Sequence, residues 1–259
     1  MWLVLSDPAD RAALWAHEGL RERGLEPLEL LSPQALLGST RSAHRVGRHG
    51  AGFEIVLPDG RLLDSREVSG VLNRVAAAPF GLLPFDTHGD ALYAQEELSA
   101  LLLSLLTCLA PVAVNRPCAT GLCGAWRSTA EWTVLAARAG LPVPPARISS
   151  SPGPEPDRAA VPDSDGVLVL GDRVFGAPSL SASLSAEDEE ACVRLARLAG
   201  TDLLGLDLHR DGGQHPVFDG ASPLPDLRSG GEPFLDRLLD HLTALPALPA
   251  FPALTGAAR

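Results

Sequence analysis

The opening of the chain constrains the fold most. Residues 2–6 (WLVLS) read as an apolar strand, Pro8–Arg23 as a helix stopped by Gly24, and Pro27–Leu31 as a second strand. Two strands separated by a helix-length connection pair in parallel, with a right-handed crossover. A chain that begins this way is committed to a mostly parallel sheet covered by helices.

The following segments extend that pattern. Strands are expected at Gly52–Leu57 and Arg61–Leu63, joined through Pro58-Asp59-Gly60, whose residue types suit a tight turn. Val68–Asn73 and Pro111–Asn115 are further strands, with a long helix over Asp90–Leu109 between them. Arg41, His44, Arg45, Arg48 and His49 read as a solvated basic loop, with an anion site as the alternative. Beyond residue 117 the pattern predicts a helix over Arg127–Ala139 ended by Gly140, and a hairpin of Val167–Val169 and Val174–Phe175 about Gly171-Asp172. Ser185 and Asp188 make a capping-box start for a helix reaching Gly200. Leu203–Leu208 and Pro216–Phe218 are strands meeting at Asp211-Gly212-Gly213, and Glu232–Leu245 is a last amphipathic helix. The expected organisation is an α/β domain over 1–117 and an α+β domain over 118–259. Residues 149–166 are expected to be a mobile loop, because their Ser, Pro, Asp and Gly cannot build a core.

Composition removes several functions. All 21 cationic side chains are arginine, so no Schiff-base lysine and no phosphate-binding P-loop lysine exists. Drift in GC-rich coding converts lysine to arginine too, but spares a lysine that catalysis requires. A net charge of -11 argues against a sequence-independent nucleic-acid partner, which needs a basic face. Residues 2–6 lack the basic flank and cleavage site of a signal peptide, and Leu98–Leu109 is shorter than a membrane span. No membrane partner is expected. The four cysteines form no CxxC pair, and reduced thiols in a cytoplasm follow as the expectation.

Three stretches together resemble the ATP-grasp superfamily, in its glutathione-synthetase-like and peptide-ligase-like branches. Gly70-Val71-Leu72-Asn73-Arg74, followed by Asp90, Tyr93, Glu96 and Glu97, resembles the end of the pre-ATP-grasp domain. Val114-Asn115-Arg116-Pro117, a helix, and Ala139-Gly140-Leu141-Pro142-Val143-Pro144 resemble the entry to the nucleotide domain. Val169–Phe175, the helix carrying Leu195, Ala196 and Leu198, and Leu204–Leu208 to Val217-Phe218-Asp219 resemble its closing half. The resemblance implies a pre-ATP-grasp-like parallel sheet domain followed by a truncated ATP-grasp-like α+β domain. It also implies ATP and Mg²⁺ as cofactors wherever nucleotide binding is retained.

The departures fall where that chemistry is done. In the family two lysines hold the ATP phosphates; the first position falls near Trp126-Arg127, making Arg127 the nearest cation. The second belongs to a lid, and only 21 residues separate Pro145 from Val167. The family's metal-binding glutamate-x-asparagine appears as Asp219-Gly220-Ala221, which leaves Asp207 and Asp219 as cation ligands without the asparagine oxygen. Arg127, Asp207 and Asp219 are therefore the cofactor-binding candidates, with Arg127 as a solvent-exposed helix-start residue the alternative.

Other residues carry separate readings. Cys118 and Cys123 lie in a Gly-containing loop before a helix, where a helix N-terminus would lower a thiol pKa; they are catalytic candidates or small buried hydrophobes. Asp207, His209, Asp211, His215 and Asp219 could hold a zinc-like ion or be solvated hairpin groups. Asn73 and Arg74, with Glu96 and Arg116, are substrate-binding candidates at the carboxyl ends of the sheet, or else form a structural Arg–Glu pair. The expectation is a degenerate ATP-grasp-like protein without ligase chemistry that binds a protein partner or carrier in a biosynthetic pathway. A compact ligase or transferase using arginine for lysine, a cysteine-dependent enzyme, and a homodimeric structural protein are the alternatives.

Overall fold

The computed structural model describes residues 1–48, 50–79, 87–144, 165–176, 184–209 and 216–248. It divides into two compact units, one of Met1–Gly124 with the described residues from Leu239 onward, the other of Ala125–Leu238.

The first unit holds a parallel sheet in the order β2-β1-β6-β7, from Leu28–Leu31, Trp2–Ser6, Gly70–Arg74 and Ala113–Val114. Asp10 starts helix α1 (Arg11–Glu22) by accepting from the amides of Ala12 and Ala13, and the helix returns the chain for β2 to lie parallel beside β1. The register of β1 on β6 runs from Trp2 opposite Gly70 to Ser6 opposite Arg74. A Cβ at Gly70 would lie 3.0 Å from the Trp2 ring, so glycine lets the indole lie against the strand. The expected strand at 111–115 shortens to Ala113–Val114: residues 110–112 form a 3-10 turn containing Pro111, which has no amide to donate, and Asn115 turns to φ 60°.

A second, antiparallel sheet in the order β3-β4-β5 is made by Arg41–Gly47, Gly50–Val56 and Leu62–Asp64. This corrects the loop reading of Arg41, His44 and Arg45, while Arg48 stands in a turn just past the strand. Residues 41–47 pair residue by residue with β4, and the strand escapes an apolar-pattern search because it is exposed almost throughout. His49 lies outside the described residues. The short helix α2 (Pro33–Leu37), with Ser32 capping Ala35, is also additional to the expected elements.

Helix α3 (His88–Leu109) is long and apolar enough by length and composition to cross a membrane. Its second half instead buries Leu102, Leu105, Leu106 and Leu109 in one core with Leu3, Leu5 and Val71 of the parallel sheet and Phe53, Ile55 and Leu63 of the antiparallel one. Each such side chain contributes roughly 1.5–3 kcal/mol by leaving water.

The second unit is a four-stranded antiparallel sheet, β11-β10-β8-β9, from Val217–Ser222, Leu203–His209, Asp165–Leu170 and Arg173–Gly176. Two helices supply the other side of its core: α4 (Thr129–Ala139) gives Trp132 and Ala136, and α5 (Ala186–Ala199) gives Ala191, Cys192 and Leu195 against Val167, Val169, Leu206 and Phe218. Both helices open on capping boxes, Ser128 with Glu131 and Ser185 with Asp188, and both end on left-handed glycines, Gly140 and Gly200. The expected mobile loop lies outside the described residues except for Asp165 and Gly166, which belong to β8. The last helix, α6 (Gly231–Thr243), sets Phe234 edge-on to Phe175 at 5.6 Å.

Candidate functional site

In the first unit the switch point lies between β1 and β6, because the chain leaves β1 toward β2 on one side and pairs it with β6 on the other. Open α/β sheets bind ligands at the carboxyl ends of such a pair. Here those ends are Ser6 and Arg74, opposite one another. Arg74 is 6% exposed, and its carboxylate partner is Asp10: Nε donates to Oδ2 at 2.7 Å and Nη2 to Oδ1 at 3.3 Å. One aspartate thus caps α1 and neutralises the sheet-end guanidinium. The Arg74 Nη1 and the Ser6 Oγ are buried with no hydrogen-bond partner among the described residues. Their chemistry suits an anion, but as they stand both atoms are shut off from solvent.

Asn73 faces the other way. Its Nδ2 donates to the carbonyls of Asn115 at 3.0 Å and Leu122 at 2.7 Å, while its Oδ1 accepts from the Val75 amide at 3.2 Å. It staples the segment after β7 to the end of β6, a positioning role. Glu96 and Arg116 are exposed, and Arg74 pairs with Asp10 rather than with Glu96. Asp10 and Ser6 were not among the expected site residues. The signals for them were a cap position before an apolar helix and a strand end in register with Arg74.

The cysteine loop does not activate a thiol at Cys123. That side chain is fully buried, and burial pushes its pKa up to about 12, offset only partly by the nearby Arg74 charge. Along the chain, α4 begins at Thr129, after a segment from Gly124 to Ser128. Cys118 is half-buried, with Sγ 3.4 Å from the Thr120 hydroxyl.

In the second unit Arg127 is already engaged. Its Nη2 donates to the carbonyl of Ala199 at 3.1 Å, satisfying the end of α5, and its guanidinium carbon lies 5.8 Å from the centre of the Trp132 ring. Asp207 and Asp219 stand on neighbouring strands across a register shift: Asp207 opposes Gly220 and Leu208 opposes Phe218, so Asp219 is the extra residue of a bulge. A Cβ at Gly220 would lie 3.3 Å from the Asp207 Oδ2, so the carboxylate leans over the glycine. Although Asp207 is exposed as a residue, burial of its carboxylate raises its pKa, and the Asp219 charge raises it further. Among the described residues no three His, Cys, Asp or Glu side chains gather to hold a metal ion. Asp211 and His215 lie outside the described residues, and the Nδ1 of His209 is buried without a hydrogen-bond partner among them.

No family model matches the chain, and no curated protein matches it. Solved structures do. The macrocyclase MdnB from Microcystis aeruginosa MRC superposes with a TM-score of 0.64 at 15% identity, over 94% of this chain and 100% of that one. The macrocyclase MdnC from the same organism, bound with its precursor peptide MdnA, gives 0.68 at 12% identity over 93% and 99%. The ATP-grasp ligase PsnB complexed with a minimal precursor gives 0.65 at 20% identity over 94% and 98%. The chain has an ATP-grasp-like fold, with the mixed α/β architecture that the sequence resemblance implied.

Proposed function

We propose that this chain is an ATP-grasp-like protein that has given up ATP-dependent ligation and works by binding a peptide or carrier partner in a biosynthetic pathway of the cytoplasm. The observation that carries this reading is the engagement of Arg127. The cation nearest the family's first lysine position commits one arm to the Ala199 carbonyl and places its charge over the Trp132 ring. Drawing it to a phosphate would strip the Ala199 carbonyl of that bond. With no lysine in the chain to replace it, the described residues do not fit a nucleotide triphosphate. Asp207 and Asp219 fit a hydrated divalent ion only as a two-carboxylate clamp, short of the oxygen set Mg²⁺ takes up with a nucleotide. The partner class is supported by the ligases of like fold, since MdnC and PsnB are each seen with a precursor peptide.

The test is thermal unfolding of the purified chain with Mg²⁺ and ATP or a non-hydrolysable analogue, followed by phosphate release in the presence of candidate peptides. A ligand bound at a hundred times its Kd stabilises the native state by about 2.7 kcal/mol, an easily visible shift. No nucleotide-dependent shift and no phosphate release are expected. A shift that needs both nucleotide and Mg²⁺ overturns the reading.

The compact-ligase alternative has one observation of its own, the Asp207–Asp219 carboxylate pair, whose repulsion a divalent cation would relieve. It predicts stabilisation by Mg²⁺ that disappears in Asp219→Asn. The cysteine-dependent alternative rests on Cys118, and predicts loss of activity in Cys118→Ser with the fold intact.

A further inference from the structure

The sheet edge at β3 is unlike every other described edge. Strands β2, β5, β7, β9 and β11 are half-buried or buried along most of their length, whereas β3 is exposed at six of its seven residues, with Val46 at 73%. It pairs on one side only, with β4. The pattern of its free side follows from one bond. Phe53 of β4 donates its amide to the Ser65 hydroxyl, away from β3, so Phe53 and its partner His44 form a pair without mutual hydrogen bonds. By alternation the amides and carbonyls of Ser42, His44 and Val46 point out from the edge. That row is a ready template for another strand.

The charge on this edge runs against the rest of the molecule. The chain carries 32 acidic residues and a net charge of -11, yet no acid occurs between Glu29 and Glu54. Arg41, Arg45 and Arg48 fall inside that acid-free stretch, are exposed, and have no ion-pair partner among the described residues. Arg41 and Arg45 lie on the same face of β3, about 13 Å apart along the strand. The opposite face carries His44, whose Nε2 is 3.2 Å from the Cys108 Sγ of α3, so the two arginines face away from that helix.

We infer that the β3 edge is a docking site for an acidic peptide segment, which adds to the sheet as an extra strand with carboxylates four residues apart set against Arg41 and Arg45. Main-chain bonds to Ser42, His44 and Val46 provide the affinity that does not depend on sequence, and the arginines select for acid. The inference deepens the binding reading above by naming the partner's chemistry, but does not stand on it. Nucleotide turnover by this chain would end the proposed loss of ligation and leave the edge untouched.

The experiment uses the full chain and a labelled, end-capped peptide of about ten residues, alternating Glu with Val to keep it extended. Binding is read by fluorescence anisotropy, and amide hydrogen exchange is followed with and without peptide. Saturable binding that weakens as salt rises is expected, with slowed exchange at Ser42, His44 and Val46. Arg41→Glu with Arg45→Glu, and separately Val46→Pro, which deletes an outward amide while keeping every charge, should each weaken binding about tenfold or more; circular dichroism verifies that both remain folded. Binding that ignores both variants overturns the inference, as does equal binding of a Lys-Val peptide or of oligothymidylate. Self-association abolished by Val46→Pro would also overturn it, because it assigns the edge to a second copy of the chain.

Discussion

Ser6 and Arg74 stand opposite each other at the carboxyl ends of adjacent parallel strands, and each holds a buried polar atom that no described residue satisfies. Their surroundings differ, and so do the consequences of removing them. The Ser6 hydroxyl makes no bond that a methyl group would lose, so Ser6→Ala is expected to be neutral or to stabilise the fold by up to about 1 kcal/mol. Asp10→Ala strands a guanidinium only 5% exposed and removes the cap of α1, at a cost of about 3–5 kcal/mol. Urea denaturation of the two variants measures both. A large loss in Ser6→Ala would mean the hydroxyl serves a bound group at the sheet end.

Arg127 makes a similar distinction between structure and ligand. If it serves α5 and Trp132, Arg127→Ala lowers stability by about 1–3 kcal/mol, the range for a charged hydrogen bond to a carbonyl with a cation–π contact. Arg127→Lys supplies the cation type that the ATP-grasp resemblance implies but not the planar fork. It is expected to recover only part of the stability and to acquire no nucleotide-dependent shift in Tm. A lysine variant that gains such a shift would indicate that the rest of the nucleotide site is intact.

The ordered β and α segments of the chain were legible because their chemistry is local. The Ser128 and Ser185 boxes, the Gly140 and Gly200 stops and the apolar strands each announce themselves within a few residues. Strand β3 was not legible, since an edge exposed on both faces has no reason to alternate apolar and polar side chains. The partners of the candidate residues were hidden for a different reason. Nothing near Arg74 in the chain points to Asp10, 64 residues away, and nothing near Arg127 points to Ala199, 72 residues away. Residue types put cations near element ends, while only the folded register decides whether a cation there is free or already spoken for.

The four thiols should separate cleanly by reactivity. Burial pushes Cys108 up to about 11 and Cys123 and Cys192 up to about 12, so each is protonated and enclosed at neutral pH. Cys118 is the partly exposed thiol. Brief iodoacetamide treatment of the native protein at mildly alkaline pH, read by peptide mass spectrometry, is expected to label Cys118 alone, and all four in denaturant. Rapid native labelling of Cys123 would revive it as a nucleophile.

Asp207 gives the fold a pH dependence with a definite sign. Its pKa is raised first by burial and then by the Asp219 charge, so between the ordinary aspartate range and the raised value the native state binds more protons than the unfolded one. Stability from this group therefore falls as pH rises through that window, and the penalty persists at neutral pH. Asp207→Asn removes the penalty: the variant should be more stable than the parent at neutral pH, with the gap closing as pH drops toward the ordinary aspartate pKa. Asp219→Asn removes only the second cause and should gain less, because burial is the larger one. Urea midpoints of the three proteins from about pH 4 to 8 test the order. If Mg²⁺ stabilises the parent while Asp207→Asn abolishes that effect, the two carboxylates are a cation clamp kept at a cost to the fold; if Mg²⁺ leaves all three unchanged, the repulsion stands uncompensated.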